Sequence, residues 1–561
     1  MKIKNYSIVV SCLIGLFFTS CKDLDEMNIN PNGVDPASAN ASQLVSTVIT
    51  RSGTQITDLG YGDIAGVMQY TQLDGWAGGQ NTYDWESKDN NWSGFYENLR
   101  DAKELLRKAD EEDSDFYRGV AKLFMAYNYG AVADLWGDAP FSEALKADEG
   151  IMKPKYDAQF DIYKGVLAYL EEANELLSKN QNAYGPINNI QDVLYAGNVS
   201  KWRKFANSLA LRYYLRLSTK EPDFARQGIT KILGDDEKYP LILDVADDAA
   251  FLYPANRKGT AWCGDDFETT DYGSWHRRKM CATLVEPMRA NSDPRLGVFA
   301  RKVDIPLRLD ESNPDDYDQI EAGVRVIGKN VVANYETLHA AHGVKVNFNQ
   351  DYIGMPPAWT DKDVIYSFNL NPPAGQGMVN VHCSQLNEIF GRPSGPLLKS
   401  RMLSAAEMHF CLAEIAWKGW GGDAKTHYEA GVRASLETWG VGSGYSAYIV
   451  RPDVAFDNTL KQIIEQKWIA SWTAATEAWF DWRRTGYPEL QPGKARVKRD
   501  AIPIRRYYGD NEVLYNTENI RDALGNFEET EFSATEPGDD VMRLNSAWSK
   551  MWLVQGTGKP W

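Results

Sequence analysis

Along most of the chain, apolar positions recur every three or four residues. Between Phe160 and Leu177 they fall at Ile162, Val166, Leu170, Ala173 and Leu177, the spacing of one buried helix face. Pro154 and Asp157, ahead of Phe160, are natural entry residues for that helix. A second helix begins at Ser404 with Glu407 three residues on. This pattern predicts a capping box, in which the serine oxygen takes the Glu407 amide and the carboxylate reaches back. Its core face is Met408, Cys411, Leu412, Ile415 and Ala416. Trp417-Lys418-Gly419-Trp420-Gly421-Gly422 breaks the helix, and Ala424 to Trp439 supplies another with Tyr428, Val432 and Leu436 aligned. Two antiparallel helices joined by a short glycine turn are the unit of a tetratricopeptide-like solenoid. Phe116 to Leu135, Trp202 to Leu217 and Leu460 to Trp482 also read as amphipathic or largely buried helices. Their irregular spacing predicts degenerate repeats rather than a uniform array.

The periodicity lapses from about Leu241 to Asp351 and again from Pro356 to Ser400. Gly, Pro, Asn and Asp dominate there, with short β-like runs such as Val324-Arg325-Val326-Ile327. The chain is therefore expected to be mainly α: a tetratricopeptide-like helical scaffold at about 41–240 and 400–490, carrying a large irregular, ligand-facing insertion at about 241–400. Long irregular segments in a compact protein are usually functional.

The N-terminus changes the picture of where this body sits. Lys2 and Lys4 precede an apolar run from Ile8 to Phe18, too short to span a bilayer and typical of a secretory signal. Phe18-Thr19-Ser20-Cys21 resembles a bacterial lipobox, with Phe18 where Leu is usual, so Cys21 is expected to be lipidated and to become the first residue. Lys22-Asp23-Leu24-Asp25-Glu26 is similar to the acidic export signals of surface lipoproteins in Bacteroidetes-type bacteria. The expected organisation is a signal peptide at 1–20, a lipidated tether at 21–40 and a single domain at 41–561. No later stretch approaches the roughly 20 apolar residues of a spanning helix, so the mature chain is expected to sit on a membrane without crossing it. Several acyl chains on one cysteine anchor stably, each buried CH₂ adding roughly 0.8 kcal/mol. Removal of Lys2 and Lys4 leaves 58 basic against 77 acidic side chains, a net charge of −19. That balance opposes polyanions and makes nucleic acid an unsuitable partner.

Cysteine and histidine add little chemistry. Cys263, Cys281, Cys383 and Cys411 are spaced too widely for a zinc motif and are too sparse for a disulfide framework. Buried free thiols are the simplest expectation, though the compartment permits two disulfides. His339 and His342 lack the spacing of a zinc helix and read as solvated loop histidines. Gly556-Thr557-Gly558-Lys559-Pro560 lacks the residue and helix that a phosphate loop requires. Asn28, Asn30, Asn32 and Gly33 imitate the start of an EF-hand, but Ala39 stands where its glutamate would be, leaving at most adventitious calcium. No cofactor is expected.

The block Leu135-Trp136-Gly137-Asp138-Ala139-Pro140-Phe141-Ser142-Glu143-Ala144-Leu145 resembles the "yGDxPyxEAL" turn of SusD/RagB-like proteins. Pro154, Tyr156 and Asp157 match their next helix start. Gly197 to Leu209, with Lys201-Trp202-Arg203-Lys204-Phe205-Ala206-Asn207-Ser208, Leu211 and Arg212, resembles another family helix. Asp293-Pro294-Arg295, the Ser404-to-Gly419 helix and Gln466-Lys467-Trp468 running on to Tyr487-Pro488 follow in the family's order. Each block is weak alone; together, over about residues 21 to 490, they are specific. The resemblance implies a non-catalytic, cell-surface lipoprotein of the outer membrane that captures oligosaccharides or polysaccharides. It further implies a partner, a SusC-like TonB-dependent transporter, over which the protein closes like a lid. The motif residues themselves read as structural: Asp481, Arg483 and Arg484 as a paired charge network at a helix end, Asn207 and Arg212 as partners of buried backbone groups.

The ligand signal lies in the aromatic content, 18 Trp and 29 Tyr in a chain with mean hydropathy −0.45. Gly75-Trp76-Ala77-Gly78-Gly79-Gln80-Asn81-Thr82-Tyr83-Asp84-Trp85, continuing to Asn91 and Trp92, sets flat rings beside amides and carboxylates. Sugars need that combination, because their C–H faces stack on rings while their hydroxyls demand directed partners. In the family, glycan contacts often come from this loop, so Trp76, Asn81, Tyr83 and Trp85 are candidates; the alternative is a loop folded back with Trp85 and Trp92 in a satellite core. A second cluster, Trp262, Asp265, Asp266, Asp271, Tyr272, Trp275 and Arg277, lies in the irregular region, with Asp271, Tyr272 and Trp275 its strongest candidates. An aromatic plug under a long loop is the alternative there, and Trp359 is a weaker third site. Two other functions stay open: a RagB-like peptide binder, and a glycoside hydrolase with two carboxylates across a cleft.

Overall fold

The computed structural model describes residues 39–73, 82, 83, 85, 92–256, 258–262, 278–358, 380–493 and 501–558. The expected leader, Cys21 and the EF-hand-like stretch therefore lie outside the described residues. The first half is a run of helices: α1 (Ala41–Leu59), α2 (Trp92–Glu111), α3 (Asp115–Trp136), α4 (Gln159–Leu176), α5 (Val199–Leu217) and α6 (Pro222–Leu233). Each of α2 to α6 packs on its predecessor, and α1 lies across α2 and α3. The sequence specifies the ends as well as the faces. Asn40 accepts the Gln43 amide and Gln43 returns to the Asn40 amide, a reciprocal cap on α1. Where α3 meets α5 the approach is too close for a side chain, since a methyl group at Gly130 would lie 1.9 Å from the Tyr213 hydroxyl.

The irregular region carries more regular structure than its composition suggests. After β1 (Thr71–Leu73) come β2 (Ala249–Leu252), β3 (Arg278–Met280), β4 (Leu307–Leu309), β5 (Asp318–Glu321), β6 (Val324–Ile327) and β7 (Lys399–Leu403), with α7 (Ala282–Ala290) and α8 (Lys329–Leu338) among them. β6 is the run anticipated from sequence; it is central, parallel to β4 and antiparallel to β5. Together with α8 this small sheet has its own core of Val303, Leu307, Ile327, Tyr335, Val346, Ile353, Met355 and Cys383. His339 belongs to it. Far from being a solvated loop residue, it is fully buried with its ring 4.6 Å from that of Tyr335. The described cysteines, Cys281, Cys383 and Cys411, are free and buried as expected, and burial pushes the Cys281 thiol up to about 12.

Helices then resume as α9 (Ala405–Trp417), α10 (Ala424–Thr438), α11 (Leu460–Ala470) and α12 (Ala475–Thr485), with α13 (Thr517–Leu524) in the C-terminal stretch. The glycine break between α9 and α10 is as predicted, with Gly419, Gly421 and Gly422 at positive φ. Two expectations need correction. Leu460 to Trp482 is two helices, broken at Ser471–Ala474 where Thr473 turns left-handed. The break sends Trp472 onto Phe299 and Trp479 onto Trp85. Ser404 does accept the Glu407 amide at 3.2 Å, but the Glu407 carboxylate does not reach back. It takes a bidentate hydrogen bond from Arg212, at 2.6 and 2.7 Å.

That pair opens a network of buried charges tying α3, α5, α9, α11 and α12 together. Arg216 grips Glu477 and lies 3.1 Å from Asp134. Lys467 is 2.6 Å from Asp481, and Arg484 bridges Asp481 and Glu414. Burial disfavours ionisation of Asp481, yet Lys467 and Arg484 outweigh it and hold this carboxyl well below the usual range. The expected charge network at the end of α12 is thus present for Asp481 and Arg484 and larger than the sequence indicated, whereas Arg483, also expected in it, donates instead to the backbone carbonyls of Ile504 and Asp134. Arg212 also donates to Met402 O, and Asn207 to Pro240 O, the backbone roles foreseen for both.

Candidate ligand-binding site

A short ladder organises the side of the molecule from which the candidate segments leave. β1 pairs antiparallel with β3, Leu73 opposite Arg278 and Thr71 opposite Met280. The first aromatic segment begins just after Leu73 and the second ends just before Arg278, so the two clusters read from sequence share one root. Buried glutamines bring two further segment ends to the same place. Gln72 accepts the Ala358 amide at 2.6 Å, fixing the residue before Trp359. Gln69 donates to Gln491 O at 2.7 Å, and a methyl group at Gly493 would collide with Pro357 O. Arg278 locks the ladder to the body by donating to Tyr61 O and lying 4.6 Å over the Tyr61 ring.

Five of the candidates, Trp76, Asn81, Asp271, Tyr272 and Trp275, lie outside the described residues, as do Asp265, Asp266, Arg277, Cys263 and Trp359. Tyr83 and Trp85 are described, and neither offers a ring face to solvent. Tyr83 is fully buried and Trp85 is 2% exposed. Trp85 stands edge-on to Trp479 at 5.4 Å, with the Arg506 guanidinium 4.9 Å above its ring. Trp92 likewise meets Trp136 at 5.0 Å, and Trp262 fits between Tyr61 and Tyr253. Trp92 and Trp262 are anchors at segment ends, and Tyr83 and Trp85 fix the first segment to the body part-way along it. Burying so much apolar area stabilises a loop's attachment, and residue type alone does not separate an anchoring indole from a presented one.

Beside this side of the molecule runs a cleft of about 610 Å³, bounded by the second half of α1, the start of α2, residues 251–260 and Arg506. Helical spacing on α1 brings Arg51, Thr54, Gln55 and Asp58 to one wall. Glu97 and Asn98 of α2 complete it, and Asn98 donates to Gln55 across the two helices. The lining is rich in amide, hydroxyl and carboxylate groups beside buried Phe251 and Tyr253. Arg506 is 6% exposed, and burial, partly countered by Asp63, lowers its guanidinium below the ordinary value. Sequence reading missed this cleft. Arg506 follows Ile504-Arg505 in a run with no helical or strand period, and α1 was read only as part of the scaffold.

The family model described as "starch-binding associating with outer membrane" matches residues 33–509. The chain belongs to the SusD-like family. Solved structures agree in fold. A SusD homologue from Bacteroides fragilis superposes with a TM-score of 0.68 at 22% identity, over 92% of this chain and 99% of its own. A chitin-binding protein gives 0.69 at 22% identity, over 93% and 100%. A chitin-binding SusD homologue from Flavobacterium johnsoniae gives 0.64 at 19%, over 91% and 99%. Comparison with curated proteins finds no match. The SusD-like fold accounts for the Trp136-Gly137-Asp138-Ala139-Pro140 turn as structure. Asp138 accepts the Gln159 amide that starts α4 and the Asn526 side chain, while its carbonyl takes the Tyr508 hydroxyl. Among the described residues no helix is long and apolar enough to cross a membrane.

Proposed function

We propose that this SusD-like protein captures oligosaccharides or polysaccharides at the cell surface without catalysing their breakdown. One observation carries the reading: two aromatic-rich segments, at 74–91 and 263–277, are rooted on one β1/β3 ladder. A polar cleft lies alongside. Trp76, Asn81, Asp271, Tyr272 and Trp275 are the proposed contacts, stacking on sugar faces and answering hydroxyls. The family description and the chitin-binding structural relatives support carbohydrate as the ligand class. The protein is anchored to the outer membrane through lipid on Cys21 and delivers its ligand to a SusC-like TonB-dependent transporter. Delivery requires release, so micromolar to millimolar affinity, about −8 to −4 kcal/mol, suffices.

The test is calorimetric titration of the mature protein, produced without lipid, against plant, host and microbial glycans and mixed peptides. Saturable glycan binding without product formation is expected. Binding to peptides alone would move the protein to the RagB-like reading, and turnover of a bound oligosaccharide would make it a hydrolase. For the anchor, Cys21→Ser should abolish incorporation of labelled palmitate and release the protein from the membrane fraction.

A further inference from the structure

The cleft holds a buried charge that no described side chain answers with a hydrogen bond. Arg506 is more than nine-tenths buried and lines the cleft, and its guanidinium makes no hydrogen bond to a described residue; Nε and Nη1 are shut off from solvent, which leaves Nη2 as the donor on the cleft side. The adjacent Arg505, fully buried, donates to Ser546 O at 2.9 Å and to Trp136 O at 3.3 Å. Arg212, Arg295 and Arg484 each hold a carboxylate. A guanidinium does not lose its proton in a folded protein, so the charge on Arg506 is permanent. Among the described residues its support is the Trp85 ring against it and a longer-range attraction to Asp63. A guanidinium N–H held on an aromatic face offers a carboxylate a charge-assisted hydrogen bond, and its fixed positive charge favours an anion over a neutral group.

We infer that Arg506 is the recognition element for a carboxylate on the ligand, so that the cleft selects glycans bearing uronic-acid-type residues over neutral ones. The inference rests on the glycan-binding reading. Asp58 and Glu97, exposed at the edge of the cleft, accept sugar hydroxyls and disfavour a second nearby anion. With a whole-chain charge of −17 they point to isolated carboxylates among neutral sugars rather than a densely charged polymer.

The experiment is titration of the mature protein with galacturonate, glucuronate-bearing and alginate oligosaccharides, each paired with its carboxyl-reduced counterpart, alongside neutral glycans and an acidic peptide. At least one acidic sugar should bind tenfold or more tightly than its reduced partner. Arg506→Gln should erase that difference without lowering the melting temperature, and Arg506→Lys should restore part of it. The wild-type comparison of paired sugars stands whether or not a variant folds. Equal affinity within every pair, binding of neutral glycans only, or an acid preference that survives Arg506→Gln overturns the inference and leaves glycan capture intact. Binding of the acidic peptide with no response to any sugar overturns both.

Discussion

Arg484 and Arg506 are both buried arginines near the C-terminal end of the scaffold, and the fold treats them in opposite ways. Arg484 lies between Glu414 and Asp481, inside a network that also holds Lys467, Glu477, Arg216, Arg212 and Glu407. Arg506 packs against the Trp85 ring, lines the cleft and makes no ion pair with a described carboxylate. Taking a charge out of water is costly, and what matters is which group compensates. In the network the compensation is internal and binds five helices to one another. In the cleft no described carboxylate supplies it; in the carboxylate recognition inferred for Arg506, a ligand does.

Breaking the network should give the largest effect. Glu414→Ala takes away the bidentate partner of Arg484, leaving it only Asp481, which Lys467 also holds, and should cost about 3–5 kcal/mol in denaturant unfolding. A loss below about 1 kcal/mol would mean that the network contributes little and the contrast with Arg506 is empty. Next, Trp85→Ala removes a buried indole from between Trp479 and Arg506 and should cost about 3 kcal/mol. Unchanged stability there, with ligand binding lost, would return Trp85 to the presented rings. Smaller again, Trp76→Ala or Trp275→Ala should weaken glycan binding about tenfold, roughly 1.4 kcal/mol, and leave the melting temperature unaltered. The reverse pattern would make those rings core.

Asp248 sharpens the comparison as an intermediate case. It is half-buried at the start of α9, accepting the Ala405 amide at 2.7 Å, and burial raises its carboxyl to about 7. A carboxyl whose folded pKa lies above the unfolded value of about 3.9 favours the folded state fully below that value and loses the contribution as pH rises through about 7. Asp248→Asn keeps an acceptor for Ala405 and should flatten this dependence. The variant should melt about a degree or two above the wild type at pH 8 and alongside it at pH 4. Parallel melting curves across that range would show that the carboxyl is better solvated than its position indicates.

Helices with a clear period were legible from single residues: Ile162, Val166, Leu170 and Ala173 are buried on α4, and Tyr428, Val432 and Leu436 on α10. The errors arose where a long-range partner outbid a local one. Glu407 had a local role as a capping residue, but Arg212, 195 positions earlier, offers two charged hydrogen bonds against one neutral one. Thr473 interrupts a run whose apolar pattern continues across it, because Trp472 and Trp479 have different targets. Tyr83 and Trp85 have the composition of a sugar platform and the environment of a core.

Local periodicity and the ordered motif blocks determined the helical scaffold and the SusD-like family by themselves, because both are written in residues close together along the chain. The meeting of β1 with β3, the wall that α1 and α2 make for the cleft, and the isolation of Arg506 were decided only by tertiary structure. A residue type fixes what a side chain is capable of, and burial among distant neighbours fixes whether that capacity is spent within the protein or kept for a ligand.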